Sequence, residues 1–297
     1  MTITEIPALP ARHAVTTTDH TATTDDHAQL AITVHQPVEP DPSRPLVLLV
    51  HGWAASRTVW HATARRLAAA GHTVASYDQR GHASSSAGQE PISIARLARD
   101  LDTVVGTLTT PERPVVVVGH SGGGYAALAW AAGLSAGKGG AGVKRLAGLV
   151  LVSTASHGQD TPASEVKMMG SKLFSRALGT PWLGRRLLSG THGPAASLTV
   201  REANRRLFAA TSPAVRAACF ASSQGMDQRA GLAGITAPTA VITGTEDKVV
   251  KPDFSRELAA ALPHAELHRI PDTGHMVPLE TPQHVAHHVH LLVTAGR

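Results

Sequence analysis

At 297 residues with 42% hydrophobic side chains, the chain can bury one large α/β core or two small ones. Its one cysteine, Cys219, excludes an intrachain disulfide framework and a thiolate-based metal site, and its apolar neighbour Phe220 favours a packed thiol over a reactive one. The net charge of +5 raises nucleic acid as a partner, but no Lys/Arg cluster interleaved with aromatic residues occurs, so nucleic-acid binding is not expected.

The opening MTITEIPALPARHAV lacks the basic start and apolar core of a secretory signal, which makes a cytoplasmic protein the default. Residues 1–12 bury little and read as a flexible tail. Residues 28–35 (AQLAITVH) alternate as an edge strand does, paired with an earlier strand near 14–18. Residues 45–50 (PLVLLV) form a continuous apolar run, expected of a central parallel strand covered on both faces. A helix over 58–70 and a strand over 72–77 follow, and then a helix over 93–108 with Leu97, Leu101, Val104 and Val105 at helical spacing.

The stretch VVVVGHSGGG at 115–124 opens with four β-branched residues and turns at Gly-His-Ser-Gly-Gly into a small-residue helix expected over 125–132. Although 115–136 approaches membrane-spanning length, its Gly119, His120, Ser121 and glycine triplet fit strand, turn and helix better than a membrane span. Ser121 stands at the apex of the turn, the context that gives a G-x-S-x-G match meaning. The helix beginning beside it directs free N–H groups towards any negative charge developing there.

A Gly-rich loop over 137–142 leads to a buried strand at 146–152 (LAGLVLV). From there to about Gly231 the pattern is helical, as in 166–178 and 201–210, and broken by Gly and Pro. The βα alternation resumes with strands at 239–243 and 266–270, a helix over 252–262 and a last helix from Pro282 onward. The expected fold is therefore α/β, a mostly parallel sheet with helices on both faces, built from residues 13–155 and 232–297. Residues 156–231 are inserted between two strands as a helical cap. His51, Asp78, Ser121, Ser153 and Asp247 each follow a strand and so share one edge of the sheet, where ligands bind in such folds.

A serine hydroxyl needs a base to take its proton and a third group to orient that base. Asp247 in ITGTEDKVV and His275 in PDTGHMVPLE complete the chain order Ser, acid, His. Glu246 is the alternative acid. With HGW at 51–53, DQRGHASS at 78–85 and GHSGG at 119–123 in the same order, the chain resembles the α/β-hydrolase superfamily over nearly its whole length. The resemblance assigns Ser121, Asp247 and His275 to a catalytic triad, favours Asp247 over Glu246 through the following Val249-Val250, and gives the backbone N–H groups of Trp53 and Gly122 to the oxyanion hole. It implies a cofactor-independent hydrolase of carboxylic esters or thioesters. Perhydrolysis or cofactor-free haloperoxidase chemistry, C–C bond hydrolysis and acyl transfer use the same residues, and a non-catalytic receptor of this fold is the alternative of another class. Ala83 departs from the family's usual glycine in a turn that is mainly structural, and His51 is expected to brace the oxyanion turn.

His284, His287 and His288 share a helix face without an accompanying carboxylate or cysteine, so no metal is expected there. The segment from Ser156 to Ala230 carries ten Lys/Arg against four Asp/Glu. That excess suggests an anionic or amphiphilic small-molecule acyl substrate, with Arg185 and Arg186 facing it and Met168, Met169, Leu173, Phe174, Trp182, Leu183, Leu187 and Leu188 as candidate pocket residues.

Overall fold

Strands β3 (Leu46–Val50) and β5 (Val115–His120) lie side by side at the centre of an eight-stranded sheet, and every residue of both is buried. The computed structural model describes residues 6–135, 146–158 and 161–295. The loop expected at 137–142 lies outside them. The other strands are β1 (Val15–Thr23), β2 (Gln29–Pro37), β4 (Val74–Tyr77), β6 (Leu146–Val152), β7 (Thr239–Gly244) and β8 (Ala265–Ile270), in the order β1-β2-β4-β3-β5-β6-β7-β8. From β4 to β8 all pairings are parallel; β1 with β2 and β2 with β4 are antiparallel.

The alternation of side chains along the strands divides the interior into two cores. Leu46, Leu48, Val50, Val115 and Val117 face helices α2 (Ile94–Leu108), α3 (Gly122–Ser135) and α9 (Pro252–Ala261). Val47, Leu49, Val116 and Val118 face α1 (His61–Ala69) and α11 (Pro282–Ala295). Each such side chain fully removed from water contributes about 1.5–3 kcal/mol, so the apolar runs secure the parallel centre of the sheet.

Local signals explain several boundaries. Ser93 caps α2, its Oγ accepting from Arg96 N–H at 3.1 Å, and Pro111 bars continuation after Thr109. The helix expected over 58–70 begins as a 3-10 turn over Arg57–Trp60 before α1. The 166–178 helix is two helices, α4 (Ala163–Met169) and α5 (Lys172–Gly179), because Ser171 starts a new one by accepting from Leu173 N–H at 3.1 Å. The strand expected at the edge, β2, is interior, and β1 takes the edge.

Helices α6 (Pro181–Leu187), α7 (Leu198–Ala210) and α8 (Pro213–Ser222) join α4 and α5 between β6 and β7. They share a small core of Met169, Leu178, Leu188 and Phe208 with Ala54 of the β3 loop. Arg216 is fully buried here and donates to Met169 O (3.2 Å), Phe208 O (3.1 Å), Thr211 O (2.5 Å) and Ser175 Oγ. The short α10 (Val277–Glu280) precedes α11. Among the described residues no helix is long and apolar enough to cross a membrane.

Candidate active site

The turn after β5 has the backbone of a nucleophile elbow. Ser121 has φ +51°, a left-handed conformation costing a non-glycine residue about 1–2 kcal/mol. Its neighbours over-determine it: Ser121 N–H donates to Val152 O (2.9 Å), and Ser121 O accepts from Gly124 N–H (2.8 Å) and the Thr154 hydroxyl (2.9 Å). A Cβ on Gly119 would lie 2.7 Å from Gly123 O, so only glycine lets α3 start directly against the strand. This early start places Gly122 N–H beside Ser121, three residues ahead of the expected helix.

Trp53 lies against Gly122, whose position a Cβ could not occupy without striking the indole. Tyr125 and Phe220 flank the indole at ring distances of 5.5 and 5.4 Å. Among the described residues no backbone hydrogen bond takes up the N–H of Trp53 or Gly122. His51 holds the preceding turn: its Nε2 accepts from Gln79 N–H at 3.0 Å, which leaves Nδ1–H to donate to Gly52 O at 2.6 Å. Buried beside His82, it is held well below the usual imidazole range and stays neutral.

His275 Nδ1–H donates to Asp247 Oδ2 at 2.9 Å, with the Asp247 side chain wholly buried. Asp247 Oδ1 accepts from Val249 and Val250 N–H, both at 2.9 Å, so the Val-Val pair after the acid fixes the carboxylate through its amides. Glu246 does not meet the histidine; its N–H donates to Thr273 O and its carboxylate accepts from Thr245 Oγ1.

Four further residues hold this arrangement; His120 belongs to the GHSGG turn, whereas Thr154, Thr191 and Glu280 do not stand out in the sequence. Thr154 supports the elbow as described. His120 Nε2–H donates to His275 O at 2.9 Å, and burial together with His275 pushes its pKa down to about 3. Thr191 O accepts from the N–H groups of both His275 (3.0 Å) and Met276 (3.2 Å). Glu280 Oε2 accepts from Gly193 N–H (2.8 Å) and Gly274 N–H (3.1 Å), and burial raises its pKa. An acid inside the apolar run MVPLE was the available signal for Glu280.

Ser121 and His275 line one cavity of about 480 Å³. Of the candidate pocket residues, Met168, Met169, Phe174, Leu187 and Leu188 line it together with Phe208 and Phe220, while Leu173, Trp182 and Leu183 do not. Arg185 and Arg186 are also outside the lining: Arg185 donates to Glu202 at 3.0 Å, and Glu202 binds Arg205 and Arg206 as well. The charged lining residues are Glu165 and Lys248.

The remaining candidates lie elsewhere. Asp78 accepts from Arg57 N–H (2.7 Å) and Ser84 N–H (3.1 Å) and ties its own loop to the turn after β3, and Ser153 is buried after β6, its N–H donating to Ile242 O at 2.8 Å. Cys219 is buried, its thiol pushed up to about 12 by desolvation. His288 stacks on His268 at 3.8 Å, and no group of three or more ligating side chains suited to a metal occurs among the described residues.

The serine aminopeptidase S33 family matches residues 41–282. The pimeloyl-[acyl-carrier protein] methyl ester esterase of Stenotrophomonas maltophilia is 30% identical over 78% of this chain and 86% of its own. The monoacylglycerol lipase of Mycolicibacterium smegmatis is 27% identical over 76% of this chain and 78% of its own. In fold, the enol-lactonase from Burkholderia xenovorans LB400 is similar at a TM-score of 0.78, with 22% identity over 93% of this chain and 100% of that one. The chain therefore belongs to the serine aminopeptidase S33 family and is a serine hydrolase of the α/β-hydrolase superfamily.

Proposed function

We propose that the protein hydrolyses carboxylic esters, and thioesters of similar shape, through an acyl-enzyme on Ser121. The observation that carries this reading is the Asp247-oriented His275 lining the same apolar cavity as Ser121. Ser121 Oγ attacks the carbonyl carbon as His275 Nε2 takes its proton, and the tetrahedral oxyanion is held by the N–H groups of Trp53 and Gly122. His275 returns the proton to the leaving alcohol of an ester or the leaving thiol of a thioester. A water activated by the same imidazole then releases the acid and restores Ser121.

Phe174, Leu188, Phe208 and Phe220 favour an apolar acyl or alcohol portion, which fits an amphiphilic substrate. The two ester-cleaving relatives support the same reaction class. We assign catalysis to residues 13–155 and 232–297, and substrate enclosure to the inserted residues 156–231.

A fluorophosphonate probe tests the reading directly: it should label wild-type protein at Ser121 and leave Ser121→Ala unlabelled. Asp247→Asn should lower kcat on a short-chain aryl ester by roughly 10³–10⁴-fold, as loss of the orienting acid does in serine hydrolases. Folded protein that neither labels nor turns over any ester in a panel graded by acyl length would overturn it.

A further inference from the structure

The outward faces of α4, α5 and α6 carry apolar side chains that no other element covers among the described residues. Leu173 is 76% exposed, Trp182 65%, Leu187 45% and Met168 44%. Cations are interleaved with them: Lys167 beside Met168, Lys172 and Arg176 beside Leu173, and Arg186 one turn after Trp182 and next to Leu187. All four cations are exposed, and among the described residues none is paired with a carboxylate. Over residues 161–190 the only acid is Glu165, against five Lys/Arg.

This composition selects its partner. The centre of a protein interface is depleted in charge and especially in lysine, with charges kept to the rim. Here the charges stand between the apolar tips. A surface that is anionic at its boundary and hydrocarbon just beneath satisfies both: the cations meet headgroups while Leu and Trp side chains reach below them.

We propose that the α4–α6 face docks on a lipid bilayer containing anionic lipids, lying on it rather than spanning it. Met168 and Leu187 belong both to this face and to the lining of the catalytic cavity, so the docked surface opens onto the mouth. That the bilayer delivers amphiphilic ester to Ser121 rests on the ester-hydrolase reading; the docking itself does not.

Vesicle flotation tests it with the wild-type chain and ether-linked lipids, which offer no carboxylic ester. Vesicles rich in phosphatidylglycerol should carry the protein up the gradient, and phosphatidylcholine vesicles should not. Leu173→Ala with Trp182→Ala should lower the bound fraction about tenfold, and Lys172→Glu with Arg176→Glu should do at least as much. Arg65→Glu with Arg66→Glu makes the same charge change on α1 and should leave binding unaltered. Turnover of a water-soluble ester, measured in parallel, should stay at the wild-type level in all three variants; its absence in wild type would count against the ester reading without touching the flotation result. Three outcomes overturn the docking proposal: no flotation with anionic vesicles, equal loss on reversing the α1 cations, or a Trp182-dependent dimer in solution that accounts for the exposed face.

Discussion

His275 is suspended from the cap: its N–H donates to Thr191 O at 3.0 Å, in the short loop between α6 and α7. Glu280 reinforces the link, since one carboxylate oxygen accepts from Gly193 in that loop and from Gly274 beside the histidine. The position of the His275 imidazole is thus set by the inserted helices as well as by Asp247. Glu280→Ala should lower kcat roughly 10–100-fold with little change in KM, the scale expected when a reacting group shifts by a fraction of an ångström to one ångström. Glu280→Gln, which keeps an acceptor oxygen, should recover most of the loss. Equal losses in both variants would show that the charge matters more than the two amide contacts.

Ala83 occupies the left-handed region at φ +44° and is exposed. Its methyl group opposes that conformation, and among the described residues no backbone hydrogen bond holds it there. Ala83→Gly should stabilise the protein by ~0.5–1 kcal/mol after allowing for the added freedom of glycine in the unfolded chain. A urea midpoint at or below the wild-type value would contradict this.

His120 links acidity to stability. Its folded pKa of about 3 lies below the free imidazole value, so at intermediate pH the unfolded chain binds the additional proton. The stabilisation is complete above the unfolded value of ~6.5 and is lost progressively as pH falls from there towards the folded value. Buried His51 and His82 are shifted in the same direction. Urea denaturation should therefore show a steep loss of stability from about pH 7 to about pH 5, and His120→Gln should reduce that loss by ~1–2 kcal/mol.

The two arginines expected to attract an anionic substrate do not reach the cavity, and Arg185 is engaged with Glu202. Arg185→Ala combined with Arg186→Ala should therefore change kcat/KM on charged and neutral esters of equal length to the same small extent, within about twofold of each other. A selective loss on the charged ester would return these residues to substrate recognition.

What was legible in the sequence follows from which forces act locally. Val115 to Val118 could be read because full burial demands a continuous apolar run, and Ser121 because only small residues fit around its turn. The edge strand β1 was seen only near its start: its side chains are polar and mostly exposed, and backbone pairing with β2 holds it. The functions of Thr191 and Glu280 were hidden because they act through amides of residues remote in the chain or its loops. The cationic excess was plain, but its disposition was not. Glu202 gathers three arginines, and Arg216 turns inward onto carbonyl oxygens.

Arg216 constrains how a substrate can enter. One guanidinium fastens the end of α4, the middle of α5, the body of α7 and the turn before α8, and separating them would leave a desolvated cation short of acceptors. Parting these four helices from one another is thus the expensive way to widen the mouth. Entry that leaves the four clasped as one body is cheaper, so a disulfide joining α4 to α8 should spare turnover of bulky and small esters alike.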